Sequence, residues 1–352
     1  MSLAIVTGAP GWLGTRLVRA LREGLADVPS LGPSDRKIRC LALPDVDVTE
    51  LEQLGAEIVR GDVSDAASLE PLFADSEGAT IFHAAGIIHP TKGLKQFHDV
   101  NVEGTRNMIE AAKKHHVRRF VHVSSNSPIG TNPTKDHVFD ESAPYNPYMT
   151  YGKTKMLAEE IVTRANSEIE TVMIRPPWFY GPGQPPRQTL FFEMIRDGKG
   201  PLVGDGENRR SMAYVDNICQ GLLLCEKVDA AKGQIYWIAD RRPYPMSEVL
   251  DTVENVMKTD FGVACVGKRM RLPGFASDVA WLVDTTMQGA GVYHQKIHVL
   301  SEMNKTIACS IAKAEKELGY DPKVDLAEGM RRSLTWMKEQ GIDLSSGTKT
   351  EA

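Results

Sequence analysis

Tyr151 and Lys155 stand four residues apart in the run Tyr151-Gly152-Lys153-Thr154-Lys155, the only one of the chain's nine tyrosines so placed before a lysine. On a helix, positions four apart share a face, so an ammonium can sit beneath a phenol. A free phenol titrates near pH ~10, too high for easy proton transfer at neutral pH. A neighbouring cation favours the phenolate and lowers that value. The pair therefore reads as a proton carrier with its tuner, against the plain alternative of two chance neighbours on a solvated helix face.

The N-terminus supplies a context. Leu3-Ala4-Ile5-Val6 is a short apolar strand, followed by Thr7-Gly8-Ala9-Pro10-Gly11-Trp12-Leu13-Gly14. Leu13, Leu17, Val18 and Leu21 then form one helical stripe. Gly8 permits a tight turn, Gly11 a close approach of backbone to phosphate, and Gly14 close helix–strand packing. The free N–H groups of the helix start face an anion there. Strand, glycine turn and helix in this order read as a dinucleotide site.

The spacing Gly-x-x-Gly-x-x-Gly, with the later Tyr/Lys pair, resembles the extended short-chain dehydrogenase/reductase family. Further matches run along nearly the whole chain: Gly61-Asp62-Val63, His83-Ala84-Ala85-Gly86, Asn101-Val102-Glu103-Gly104-Thr105, Val123-Ser124-Ser125 and Arg175-Pro176-Pro177-Trp178-Phe179-Tyr180-Gly181-Pro182. The resemblance implies cofactor contacts from Gly8, Gly11, Trp12, Leu13, Gly14, Asp62, Val63, Ala84, Ala85 and Pro176, and from Tyr151 and Lys155. It implies Tyr151 as proton carrier, Lys155 as its partner and a ligand of the cofactor ribose, and Ser125 as holder of the substrate oxygen. Ser124 is the rival, but the family's serine lies five residues before the following glycine, here Gly130. Asn101 matches a helix-kinking asparagine that helps relay protons, or else is an N-cap or buried amide. Arg175 reads as a brace at the sheet end, His83 as a structural histidine, and His89 as a loop residue near the nicotinamide side.

Cofactor choice turns on the end of the second strand, where an acid binds a ribose 2′-hydroxyl or an arginine a 2′-phosphate. Leu43 holds the discriminating place, followed by Pro44 and Asp45, and no arginine stands there. NAD is expected, with Asp45 reaching the ribose one residue late; NADP is the alternative.

Strands are expected at about 3–7, 38–43, 57–60, 80–84, 119–124 and 171–175, alternating with helices. This is the pattern of an α/β, doubly wound parallel sheet of the Rossmann type. Residues 1–175 are read as the dinucleotide-binding domain with the catalytic residues. Residues 176–344 are read as a smaller substrate-binding lobe with elements returning to the core, and 345–352 as a disordered tail. Prolines from Pro176 to Pro201 suit a lobe over the strands' carboxyl ends. Helices are expected at Asp216–Cys225, Ser247–Met257 and Leu326–Gln340, and a strand at Gln234–Ala239. The stretch 271–304 is apolar and irregularly patterned.

Hydrophobic content of 42% in 352 residues and a net charge of −5 describe an ordinary globular chain without a basic field for nucleic acid or anionic membrane. The five cysteines lack any Cys-x-x-Cys, which argues against disulfides and structural zinc, and no metal is expected. With a strand starting at residue 3 and no apolar run near ~20 residues, neither signal peptide nor membrane span is expected, and the cytoplasm is the default. A homodimer is expected.

Three chemistries share this machinery: alcohol oxidation or ketone reduction, epimerisation through a transient ketone, and sugar dehydration. Related dehydratases carry Asp-Glu after the catalytic serine or threonine, whereas Asn126-Ser127 stand here, which disfavours dehydration. Gly204 to Asp216 resembles the segment where sugar-nucleotide epimerases place a phosphate-binding arginine, and Arg210 aligns with it. The leading expectation is thus a nucleotide-sugar epimerase with Ser125, Asn126 and Arg210 on the substrate. A 3β-hydroxysteroid dehydrogenase-like enzyme on a lipophilic hydroxy or keto substrate is the alternative. A catalytically silent cofactor sensor comes third.

Overall fold

The computed structural model describes residues 3–342 and Leu344; the expected tail, 345–352, lies outside the described residues. Seven parallel strands form the central sheet: β1 (Leu3–Thr7), β2 (Lys37–Ala42), β3 (Glu57–Arg60), β4 (Thr80–His83), β5 (Arg119–Val123), β6 (Glu170–Arg175) and β7 (Ile235–Trp237). Their order is β7-β6-β5-β4-β1-β2-β3. All of β1 is buried, so its residues alternate between two apolar layers, as successive side chains in a strand must. Ala4 and Val6 join Leu17, Val18, Leu21, Ile218 and Leu222 on one face. Leu3 and Ile5 join Leu72, Met108, Ile109 and Val162 on the other. The fold is a doubly wound Rossmann-type sheet.

All strands run the same way, but the strand order reverses between β1 and β4, and such a switch point opens a crevice at the carboxyl ends of the strands. β2, β4 and β5 each end one residue earlier than the sequence pattern predicts, so Leu43, Ala84 and Ser124 belong to the loops leaving that edge.

After Arg175 the chain builds a second apolar cluster from Tyr180, Phe192, Met212, Tyr214, Leu250, Val253, Met330 and Leu334, while β7 returns to the sheet beside β6. The helices Val215–Lys227, Met246–Phe261 and Leu326–Glu339 lie close to the expected ranges. The stretch 271–304 departs from its irregular reading. Met270–Leu272 pairs with Pro201–Val203, and two helices, Phe275–Gly289 and Gln295–Glu302, pack on each other. No helix among the described residues is long and apolar enough to cross a membrane.

Candidate active site

The glycine loop leaves β1 and meets the end of β4. A Cβ on Gly8, at φ +83°, would lie 2.5 Å from the Ala84 carbonyl carbon, and one on Gly14 would lie 2.3 Å from the Gly8 oxygen. Only hydrogen at these positions lets strand, turn and helix close up. The helix Trp12–Glu23 starts at Gly11 with no side-chain cap and no acid in its first turn, so its N–H groups are left for an anion. Trp12 donates from Nε1 to the Pro182 oxygen at 2.7 Å and packs on Phe179, tying the glycine loop to the segment after β6. Leu13, Val63 and Pro176 are buried and Asp45 is exposed. Asp62 turns its carboxylate onto Ser64, whose N–H and hydroxyl both donate to it at 2.8 Å.

At the end of β2 the sequence reading missed a residue. Arg60 pairs with Ala42 across β2 and β3 and donates to the carbonyls of Leu43 and Val46 at 2.8 and 2.9 Å. Register, not sequence proximity, brings this cation there, and two backbone carbonyls occupy it.

Tyr151 and Lys155 lie on the helix Met149–Ala165. Burial pushes the Tyr151 phenol up to about 12, opposed by a hydrogen bond from Ser125 and reinforced by the Glu302 carboxylate. Burial also brings Lys155 down to about 8, with Glu159 pulling the other way. The ammonium donates to the Val123 oxygen at 2.9 Å and lies 3.3 Å from His122 Nε2. The expected pairing thus takes another form: Lys155 is engaged by the end of β5, and desolvation rather than a neighbouring cation governs the phenol.

The two serines separate by partner. Ser124 donates at 2.6 Å to Glu159, which also accepts from Arg175 at 3.0 and 2.6 Å and from Tyr145 at 2.9 Å. That buried ion pair makes Ser124 and Arg175 parts of the scaffold. Ser125 faces Tyr151, with Ser127 Oγ at 3.3 Å and the Asn126 amide oxygen at 3.4 Å. Asn101 sits in a wide helical turn, Asp99–Glu103. Its amide accepts from Ile87 N–H at 2.8 Å and donates to the Ile87 oxygen at 3.0 Å and to Thr154 at 3.2 Å. It braces the loop after β4 against the helix Met149–Ala165. His83 bonds Thr7 at 2.8 Å and Thr105 at 3.2 Å, and His89 bonds Tyr293 at 2.6 Å.

The packed helices Phe275–Gly289 and Gln295–Glu302 contact this constellation. Tyr148 bonds Ser301 at 2.7 Å, Thr150 N–H donates to Gln288 at 3.2 Å, and the Phe97 ring lies 5.8 Å from Tyr151 and 5.9 Å from Tyr293. His298 pairs with buried Asp284 at 2.8 Å. Burial lowers its pKa, but that bond and the charges of Glu302 and Asp284 leave it raised. Arg210 is buried and donates to the Glu302 main-chain oxygen. Burial lowers its pKa while Glu302 and Tyr148 oppose that. Arg209 turns to the Lys135 oxygen at 2.8 Å. Tyr148, Tyr293, His298 and Glu302 escaped the sequence reading. Tyr148 alone carried a signal, three residues before Tyr151 on the way into the same helix.

Among the described residues no cluster of side chains could hold a metal ion, and the five cysteines are free thiols. A cavity of about 440 Å³ at Arg241, Tyr244 and Lys323 lies outside the constellation.

The model of the NAD dependent epimerase/dehydratase family matches residues 4–239. The chain belongs to that family. It is an extended short-chain dehydrogenase/reductase, and NAD is its cofactor, for which the uncapped helix start and glycine loop are a fitting cradle. A Sinorhizobium fredii protein described only as uncharacterized protein y4nL is 49% identical, covering 96% of both chains. The 2-alkyl-3-oxoalkanoate reductase of Stenotrophomonas maltophilia is 28% identical, covering 93% of this chain and 97% of its own. Among solved structures, UDP-glucuronic acid 4-epimerase from Bacillus cereus in complex with NAD has a TM-score of 0.71 at 21% identity. It covers 96% of this chain and 99% of its own, a likeness of fold.

Proposed function

We propose that this family member exchanges a hydride with a secondary alcohol or ketone of a lipophilic substrate. NAD supplies the hydride acceptor or donor. Tyr151 Oη gives its proton to the forming alkoxide in reduction and takes it back in oxidation. Ser125 Oγ donates a hydrogen bond to the same oxygen, where negative charge develops. Lys155, held by the Val123 oxygen beside this site, binds the cofactor ribose.

Arg210 carries the substrate class. A nucleotide diphosphate needs cations matched to its charges inside a closed cleft. The candidate cation is already bonded to the Glu302 oxygen, and a carboxylate stands near it. The rings of Phe97, Tyr148 and Tyr293 make much of the remaining surroundings. The likeness to an oxoalkanoate reductase over nearly the whole chain agrees with this reading. The test is NADH consumption with a panel of 2-alkyl-3-oxo acids and 3-ketosteroids, beside product analysis by NMR for uridine and guanosine diphosphate sugars, whose epimerisation returns the hydride and consumes no NADH. Turnover confined to the lipophilic ketones is expected.

The second reading is a nucleotide-sugar epimerase, favoured by Arg210 lying beside Tyr148 at the roof of the site. It requires the guanidinium to leave the Glu302 oxygen for a phosphate. Arg210→Ala would then cost about 1.5–3 kcal/mol of uridine diphosphate affinity, roughly 10- to 150-fold, with NAD binding unchanged. Calorimetry that finds this pattern replaces the lipophilic reading.

A further inference from the structure

The helix Phe275–Gly289 is amphipathic the wrong way round for a protein surface. Its buried positions are Ser277, Ala280, Asp284 and Gln288, three of them polar and each of the three engaged. Ser277 donates to the Leu300 oxygen at 2.8 Å, Asp284 accepts from His298 and from Gln288 at 2.8 and 3.0 Å, and Gln288 accepts from Thr150. Its outward stripe is Phe275, Val279 and Leu282, spaced i, i+4, i+7, with Trp281 and Val283 beside it. These five side chains are 41–67% exposed. A helix at a water interface ordinarily buries its apolar stripe. Here the polar face holds the helix to the protein and the apolar face is presented outward, continued by exposed Val292 and Val299.

Charge distinguishes among occupants. Exposed Lys268 and Arg271 precede the helix and exposed Lys296 follows it; none has an ion pair among the described residues. Asp278, the acid on the outer side, is bonded to Lys305 at 2.6 Å. The net charge of −5 averages over this local basic collar. A second copy seated on the ridge by a two-fold axis would set basic ends against basic ends. An apolar stripe of Phe, Trp and Leu between lysines and arginines matches helices that lie in the plane of an anionic bilayer. The methylene stems of the basic side chains cover apolar surface while their heads reach lipid phosphates.

We propose that the ridge Phe275–Val283 docks this protein on an anionic lipid surface. The same helix bonds the catalytic helix through Gln288 and Thr150, and its packed neighbour carries Ser301 and Glu302 over Tyr148 and Tyr151. Docking would therefore seat the cover of the site against the lipid. The inference stands apart from the substrate reading, since it is read by binding alone.

The test is flotation of the full chain with phosphatidylcholine vesicles, with and without phosphatidylglycerol. Binding to the phosphatidylglycerol vesicles is expected, with quenching of tryptophan fluorescence by brominated lipid that Trp281→Phe removes. Phe275→Ser with Leu282→Ser should weaken binding at least about 10-fold, and Lys268→Glu with Arg271→Glu by a similar factor. All these side chains are exposed, so the variants should keep the wild-type NAD-induced rise in Tm, which controls for folding. Wild-type protein that does not float with anionic vesicles overturns the proposal. Quenching that Trp281→Phe leaves intact also overturns it. So does a ridge whose serine variant merely turns a solution dimer into a monomer by ultracentrifugation.

Discussion

At neutral pH the Tyr151 phenol holds its proton, because burial and the Glu302 carboxylate outweigh the Ser125 hydrogen bond and set it at about 12. That state suits donation to a forming alkoxide, while oxidation needs the phenolate and so a cation brought closer. Tyr151→Phe keeps the ring against Phe97 and removes only the proton. Turnover should fall roughly 10²–10⁴-fold with cofactor affinity within a few-fold, checked by steady-state rates and NAD titration. Lys155→Met should lose at least as much activity and raise the pH at which oxidation climbs. Its stability effect has a definite sign. A lysine near 8 in the fold and near 10.5 when unfolded binds fewer protons folded than unfolded between those values. Stability from this group therefore rises with pH across that window. Wild type should gain on Lys155→Met by up to about 3 kcal/mol from pH 8 to 10.5, read from urea unfolding at both ends. A constant difference would show that the ammonium is not desolvated.

Among the elements, the carboxyl edge of the sheet does the positioning. β1, β4, β5 and β6 end side by side, and each releases one part of the candidate site: the glycine loop, Ala84–Ala85, Ser125 and Pro176. The buried Glu159–Arg175 pair locks β6 to the helix Met149–Ala165, and Ser124 ties the end of β5 to the same carboxylate. Glu159→Gln leaves the Arg175 charge buried without its counter-ion, and should destabilise the fold by about 3–5 kcal/mol in denaturant titration. Ser124→Ala removes one hydrogen bond to that carboxylate and should be milder, about 1 kcal/mol, with catalysis retained; Ser125→Ala should do the reverse. At the glycine turn, an alanine at Gly14 would drive its Cβ to 2.3 Å from the Gly8 oxygen. Strand and helix must then part, and NAD binding should weaken at least about 10-fold by calorimetry, because the helix N-terminus no longer faces the pyrophosphate.

Across the whole molecule the glycine-loop region is joined to the part of the chain after β6. Trp12 bonds Pro182, Arg16 bonds Asp216 and Arg332 bonds Asp27, so a ligand held in the cradle steadies both halves. NAD at about 100 times its Kd should add ~2.7 kcal/mol to unfolding. NADP should add less, since Leu43 offers no charge and Arg60 is engaged by the carbonyls of Leu43 and Val46. Leu43→Arg should narrow that gap in a thermal-shift titration of both cofactors. The sequence by itself was enough for the alternating strands and helices, the glycine loop and the Tyr151/Lys155 pair. Those features are written in local spacing, where a period of two or four residues decides which face a side chain takes. It was also enough to favour Ser125 over Ser124 by family resemblance. Only the tertiary structure decided what each of these groups meets. It engages Lys155 with the Val123 carbonyl, commits Ser124 to Glu159, and brings Arg60 across the sheet to the end of β2. It also closes the site with Glu302, His298 and Tyr293, from a helix pair whose apolar face points outward and so lacks the inward stripe that marks a helix in sequence. Such partners lie up to 204 residues apart, as between His89 and Tyr293, and long-range contact and desolvation leave no periodic trace in the chain.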